Sequence, residues 1–353
     1  MRQVLDYRTR GAGYNAAMAA PSHALPHPYD ALTPDLILDS VEKCGLRCDG
    51  RLLALNSFEN RVYQVGIEAA SPVIAKFYRP ARWPEAAILE EHAFALELAE
   101  AELPVVAPLA TGAGAVTLQE HAGFRFALYP RQAGRAPELD QLETLRWMGR
   151  FIGRIHAFGA LRKFVHRPTL DVRAFAEQPA TLLLSDGFIP EDLRAAYESL
   201  ATQLISQLHA CFERTGDVRY IRLHGDCHAG NVLWDAEGPH FVDLDDARNG
   251  PAVQDLWMLL SGERAAMEQQ LEVVLAGYRE FCDFDLRELP LIEALRTLRM
   301  MHYAGWVASR WDDPAFPRSF PWFNTQRYWQ DHILALREQM ALMQEEPLRA
   351  GEG

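Results

Sequence analysis

The stretch Ile221–Leu260 constrains this chain more than any other. It reads IRLHGDCHAGNVLWDAEGPHFVDLDDARNGPAVQDLWMLL. Two short apolar runs, Val232-Leu233-Trp234 and Phe241-Val242, flank the turn-forming Glu237-Gly238-Pro239, which predicts a β-hairpin. Polar residues that pack badly in a core stand at both ends. Before the hairpin come His224, Asp226, His228 and Asn231; after it come Asp243, Asp245 and Asp246. An Asp and an Asn at the entrance with an Asp at the exit can hold a divalent cation between them. Oxygen ligands of this kind suit Mg²⁺, which takes one or two carboxylates plus phosphate oxygens and water. The plain alternative is an acidic loop on a solvated hairpin. Four polar positions at fixed spacing in one local context argue against it.

The spacing is that of a catalytic loop H-x-D-x-x-x-x-N followed, one hairpin later, by a metal-binding Asp, as in protein kinases. His224, Asp226, Asn231 and Asp243 occupy those positions. Gly225 stands where kinases carry Arg, and Asp243-Leu244-Asp245 replaces Asp-Phe-Gly. With these departures the loop resembles the aminoglycoside phosphotransferase and choline kinase branch of the kinase-like fold, whose loop reads H-G-D-x-H-x-x-N. The wording LHGDCHAGNVLW and FVDLDDARNGPAVQDLW is most similar to the bacterial stress response kinase A family. That resemblance spans roughly residues 33–345. It implies an α+β, bilobal protein-kinase-like fold, with a small antiparallel-sheet N-lobe, a mainly helical C-lobe, and ATP and Mg²⁺ in the cleft.

The chain has 353 residues, a length that suits two lobes. Hydrophobic residues make up 49% and charged residues 24%, ordinary for a globular protein. A net charge of −13 argues against non-specific nucleic-acid or anionic-lipid partners, and requires local positive charge at any nucleotide site. No apolar run approaches the roughly 18 residues of a membrane span, and the N-terminus lacks an apolar signal region. Five scattered cysteines predict reduced thiols in a cytoplasmic protein, with Cys44-x-x-x-Cys48 structural and not zinc-binding. A monomer is expected.

Residues 1–26 predict a disordered tail, with Met18 a plausible start. Residues 27–129 form the expected nucleotide-binding lobe, 130–345 the catalytic and substrate lobe, and 346–353 a second tail. Thr33-Pro34-Asp35 predicts a helix start, with a stop at Gly45. Strands are expected at 52–55, 61–67, 73–78, 103–109 and 124–129. The turn Asn56–Arg61 lacks the glycines of a phosphate-covering loop, so Ser57 and backbone amides would have to cradle phosphate. Read alone, it is just a hairpin loop. Lys76 in VIAKFY lies where kinases keep the Lys that meets the α- and β-phosphates. Its carboxylate partner is expected on the next helix. Glu91 fits the stripe that continues to Phe94 and Leu98, with Glu90 the alternative. Tyr129-Pro130 marks an expected break, either a simple turn or, by its place in the order of elements, the adenine-binding hinge of the kinase fold. His156 reads as a packed core histidine, and Asp255, in an apolar setting, as a structural acceptor for the catalytic loop. The aromatic segment 302–329 reads either as a packed cap or as the lining of a substrate groove.

By the resemblance, Asp226 accepts the proton of the attacking hydroxyl, Asn231 and Asp243 bind Mg²⁺, and Lys76 positions the phosphates. The family further implies a Ser or Thr acceptor on a protein. The same motif serves small-molecule kinases of the choline, homoserine or aminoglycoside type. A non-catalytic nucleotide-binding protein is disfavoured, because the base, both metal ligands and the Lys are all present.

Overall fold

The computed structural model describes residues 27, 29–112 and 114–351. The expected N-terminal tail and Met18 lie outside the described residues. Helix α1 (Pro34–Lys43) starts as its sequence dictates. Thr33 accepts from the Leu36 amide at 3.3 Å, and Pro34 opens the first turn. Ile37 and Val41 of α1 bury against the back of a five-stranded antiparallel sheet. The sheet comprises β1 (Cys48–Ala54), β2 (Arg61–Ile67), β3 (Val73–Phe77), β4 (Gln119–His121) and β5 (Phe124–Pro130), in the order β1-β2-β3-β5-β4. Helix α2 (Glu85–Glu100) lies between β3 and β4 in the chain.

One expected strand is corrected. Residues 103–109 do not join the sheet as a ladder; the fifth strand is β4. Pro104 and Pro108 each remove a backbone donor from the stretch. It spans the lobes instead. The Val106 amide donates to Phe241 O at 2.9 Å, the Phe241 amide to Pro104 O at 2.7 Å, and the Leu109 amide to Leu128 O at 2.7 Å.

The remainder is mainly helical. Helices α3 (Leu142–Gly159), α4 (Gln178–Ser185) and α5 (Glu191–Thr215) precede β6 (Tyr220–Leu223). The expected hairpin is β7 (Val232–Asp235) and β8 (Gly238–Phe241). Then come β9 (Arg248–Pro251), paired with β6, and α6 (Val253–Leu256), α7 (Arg264–Tyr278), α8 (Leu291–Ala308), α9 (Ala315–Ser319) and α10 (Gln326–Leu342). Helices α3 and α7 touch backbone to backbone. A Cβ at Gly149 would lie 2.1 Å from the Val274 carbonyl oxygen, and one at Gly277 would lie 2.2 Å from that of Arg146. Among the described residues no helix is long and apolar enough to cross a membrane.

The aromatic segment is chiefly a packed cap. Phe316, Phe323 and Trp329 are fully buried, while Trp322 and Tyr328 also line a groove. The expected C-terminal tail is a second correction for the residues described. Arg264 donates to the carbonyls of Glu346 and Pro347 (2.8 and 2.6 Å), Arg279 to that of Gly351 (2.9 Å), and Leu348 is buried. These donors hold backbone that has no periodic pattern of its own.

Candidate active site

The loop between β6 and β7 is fixed from below by α6. The buried Asp255 carboxylate accepts from the amides of His224 and Gly225, both at 2.8 Å, and from His156 Nε2 at 3.0 Å. Gln254 adds a bond from its amide to Gly225 O at 3.1 Å. His156 is a core histidine, and its ring orients the carboxylate that holds the loop. His224 faces the Val242 carbonyl through Nε2 at 2.9 Å, so this nitrogen carries the proton. Loop and hairpin exit are thereby tied together.

The Gly in place of the kinase Arg has a physical cause. Gly225 has φ +84°, and a Cβ there would lie 2.2 Å from the Asp246 carbonyl oxygen. Only glycine lets the two backbones approach so closely.

Asp226 is mostly buried and engaged at both oxygens. Arg299 Nη1 donates to Oδ1 at 2.5 Å, Asn231 Nδ2 to Oδ2 at 3.3 Å, and His228 Nε2 lies 3.4 Å from Oδ2. Burial works against the charged form. The Arg299 guanidinium and His228 outweigh it and hold Asp226 well below the usual carboxylate range. Asn231 also donates to the Asp226 carbonyl at 2.9 Å, which turns its amide oxygen away from the loop backbone.

Lys76 leaves β3 opposite Val62 and Ala127 and is buried. Its ammonium lies 3.1 Å from Asp243 Oδ1, 3.4 Å from Asp245 Oδ1 and 3.7 Å from Glu91 Oε1. Burial again opposes the charge, but Asp245, Asp243 and Glu91 together keep the ammonium protonated, well above its ordinary value. The geometry separates the two glutamates. Glu91 points at Lys76 and at Arg167, 3.4 Å away. Glu90 points outward and accepts from the amides of Val165, His166 and Arg167 at 2.6–2.8 Å. Asp243 has a left-handed backbone (φ 61°, ψ 63°) and a half-exposed side chain. Ser57 donates to Asn60 O at 3.1 Å, closing the β1–β2 turn on itself.

Several residues at the site lie outside the sequence motifs. Arg82 pairs with Asp245 and with Asp246 (3.0 Å), and Arg248 with Asp246 (3.0 Å). Asp245 is held well below the ordinary carboxylate range by Arg82, Lys76 and Arg167, against its burial. Glu59 of the turn accepts from Trp306 Nε1 (2.5 Å) and Arg310 Nε (3.0 Å) at the end of α8. Asp313 accepts from Arg79 (2.7 Å) and Arg61 (3.3 Å). The turn is thus pinned to the helical lobe. The requirement for positive charge near a nucleotide site could have found Arg79 and Arg82, which follow VIAKFY within four residues. Arg299, 73 residues from Asp226, gave no local signal.

The model of the phosphotransferase enzyme family matches residues 51–292. Stress response kinase A of Escherichia coli is 46% identical over 321 residues, covering 91% of this chain and 96% of that protein. The chain belongs to the stress response kinase A family. Another relative of that family, serine/threonine protein kinase RdoA of Salmonella typhimurium, is 44% identical over the same shares of the two chains. In three dimensions the chain is similar to an aminopropanol kinase (TM-score 0.67, 16% identity, covering 88% of this chain and 98% of that one). An amicoumacin kinase solved with AMP-PNP and Ca²⁺ gives TM-score 0.65 at 19% identity, covering 85% and 90%. The family is one of kinases, and its kinase-like, two-lobed α+β fold is the one that the resemblance implied.

Proposed function

We propose that this kinase transfers the γ-phosphoryl group of ATP, with Mg²⁺, to a Ser or Thr hydroxyl of a protein. One observation carries the reading: Lys76, Glu91 and Asp243 converge in the cleft between the sheet and the loop that presents Asp226 and Asn231. Asp226 accepts the proton of the attacking hydroxyl. Its carboxylate is kept ionised and aimed by Arg299, Asn231 and His228. Lys76, steadied by Glu91, meets the α- and β-phosphates, and the turn bearing Ser57 covers them. Positioning and fixed charge supply most of the acceleration in such transfers.

The oxygen donors fit Mg²⁺. Asp243 offers a half-exposed carboxylate, and Asn231 an amide oxygen. Mg²⁺ takes one or two carboxylates and completes its shell with phosphate oxygens and water. When bound, the ion neutralises charge on the phosphates. The protein acceptor rests on the name of the Salmonella relative. The test is incubation with labelled ATP, with and without Mg²⁺, beside a generic protein substrate and a panel of small alcohols. Label on Ser or Thr is expected. Label confined to a small alcohol refutes the protein acceptor and favours a small-molecule kinase; no ATP turnover at all refutes both.

A further inference from the structure

Arg299 reaches the base from α8, where it heads a groove of about 2090 Å³. The groove is lined by the loop residues His228 and Gly230, by Arg296 and Tyr303 of α8, and by carboxylates that include Glu293 of α8 and Glu338 of α10. The acceptor hydroxyl must approach Asp226, and Arg299 is the helical residue that touches that carboxylate, at 2.5 Å. A guanidinium carries five N–H donors, and Asp226 Oδ1 engages one nitrogen. The Arg299 side chain is 35% exposed, so further donors have room to face an acceptor. Asp246 also faces this region, but it is shared by Arg82 and Arg248 at 3.0 Å each. One α-helical turn along from Arg299, His302 stacks on Phe175 at 4.4 Å. Burial first, then the guanidiniums of Arg248, Arg299 and Arg310 against the carboxylate of Asp246, push its imidazole down to about 4, so it stays neutral. The chain's net charge of −13 acts at long range and is screened within about 10 Å; the groups touching the acceptor act at contact.

We propose that Arg299 is a specificity-determining residue, which favours hydroxyls flanked by carboxylates or carbonyls and disfavours hydroxyls carried beside an ammonium. This rests on the protein-acceptor reading above and narrows it to serines and threonines in acidic surroundings.

The test uses the full chain, labelled ATP and three seryl peptides that differ only in the residues flanking the serine: Glu, Ala or Lys. Glycerate and ethanolamine serve as an anionic and a cationic small alcohol. The wild type is expected to prefer the Glu peptide over the Lys peptide by about tenfold or more in kcat/KM, mostly through KM. Arg299→Gln should compress that ratio to within about threefold, and Arg299→Lys should restore its order at a lower rate. Melting curves and nucleotide binding confirm that each variant is folded. A wild-type preference for the Lys peptide overturns the proposal. So does an Arg299→Gln variant that slows all three peptides equally, which marks Arg299 as a holder of the base alone. If no peptide is labelled, the protein-acceptor reading fails on its own, and the glycerate-to-ethanolamine ratio in wild type and Arg299→Gln still decides the role of Arg299.

Discussion

Replacing Asp255 with Ala should uncouple the catalytic loop from the helix beneath it. The substitution removes one acceptor group from three buried donors: the amides of His224 and Gly225 at 2.8 Å and His156 Nε2 at 3.0 Å. Each donor left unsatisfied costs about 1–3 kcal/mol, and water entering the vacated space recovers part of this. A net loss of about 3–6 kcal/mol follows. At about 2 °C per kcal/mol for a chain of this size, the melting temperature should fall by about 6–12 °C. The effect on catalysis is separate. Asp226 is two residues beyond His224, and a shift of about 1 Å in a reacting group lowers turnover about 100-fold. Asp255→Asn keeps one acceptor oxygen but aims an N–H at a donor, so it should fall between Ala and wild type. The assay is thermal melting beside phosphoryl transfer from labelled ATP below the melting transition. A variant that melts early yet turns over at the wild-type rate would show that Asp255 holds the fold and not the loop, and would refute this reasoning.

Asp226→Ala or Asp243→Ala should abolish transfer with the fold retained. Only the Asp243 variant should strongly weaken Mg²⁺-dependent nucleotide binding, measured by calorimetry with and without the ion. Lys76→Ala should lower activity through nucleotide positioning and leave Glu91 facing Arg167; Glu91→Gln should raise the KM for ATP, whereas Glu90→Gln should change stability but not that KM. Gly225→Ala should lower both melting temperature and turnover, because φ +84° and the Asp246 carbonyl leave no room for a methyl group; wild-type values of both would contradict the close approach. Glu288, buried and accepting from the Val253 amide at 2.8 Å, is pushed up to about 7 by burial. Folded, it binds its proton more tightly than unfolded. Its contribution is therefore full below the ordinary carboxylate value and is lost as pH rises to about 7, by about 3 kcal/mol. Melting temperature should drop between pH 5 and 8 in the wild type and drop less in Glu288→Gln.

What the sequence disclosed was whatever chemistry packs into a short span. His224, Asp226, Asn231 and Asp243 lie within 20 positions of each other, and one hairpin suffices to bring them together. Thr33-Pro34 was legible because a capping hydroxyl acts three residues ahead. The stretch 103–109 misled because its apolar run resembles a strand, while its prolines decide what it can pair with. The choice between Glu90 and Glu91 was nearly open in sequence, since neighbours on a helix differ by only 100° of rotation. Their partners settled it: Lys76 and Arg167 for one, three amides for the other. Arg299 and the Glu59–Arg310 pair were invisible because each joins elements far apart in the chain. A charged residue shows its partner only once the backbone has placed both.

Those distant pairs also explain how a protein of net charge −13 can accept a polyanionic nucleotide. Around the cleft, Lys76, Arg82, Arg167, Arg248 and Arg299 face Glu91, Asp226, Asp243, Asp245 and Asp246, cation against carboxylate. Held in direct contact in a partly buried setting, these pairs cancel locally and leave the long-range negative field to be screened by salt. Such pairs are held for placement more than for stability, since desolvation consumes much of the gain. The balance is not uniform. Among these cations, Arg299 alone also lines the groove beside α8. The least covered of these carboxylates is Asp243, whose side chain is about half exposed beside Lys76. Asp243 beside Lys76 is thus the most exposed carboxylate of the network and Arg299 on Asp226 its most exposed cation, so the two charges most open to solvent belong to different pairs.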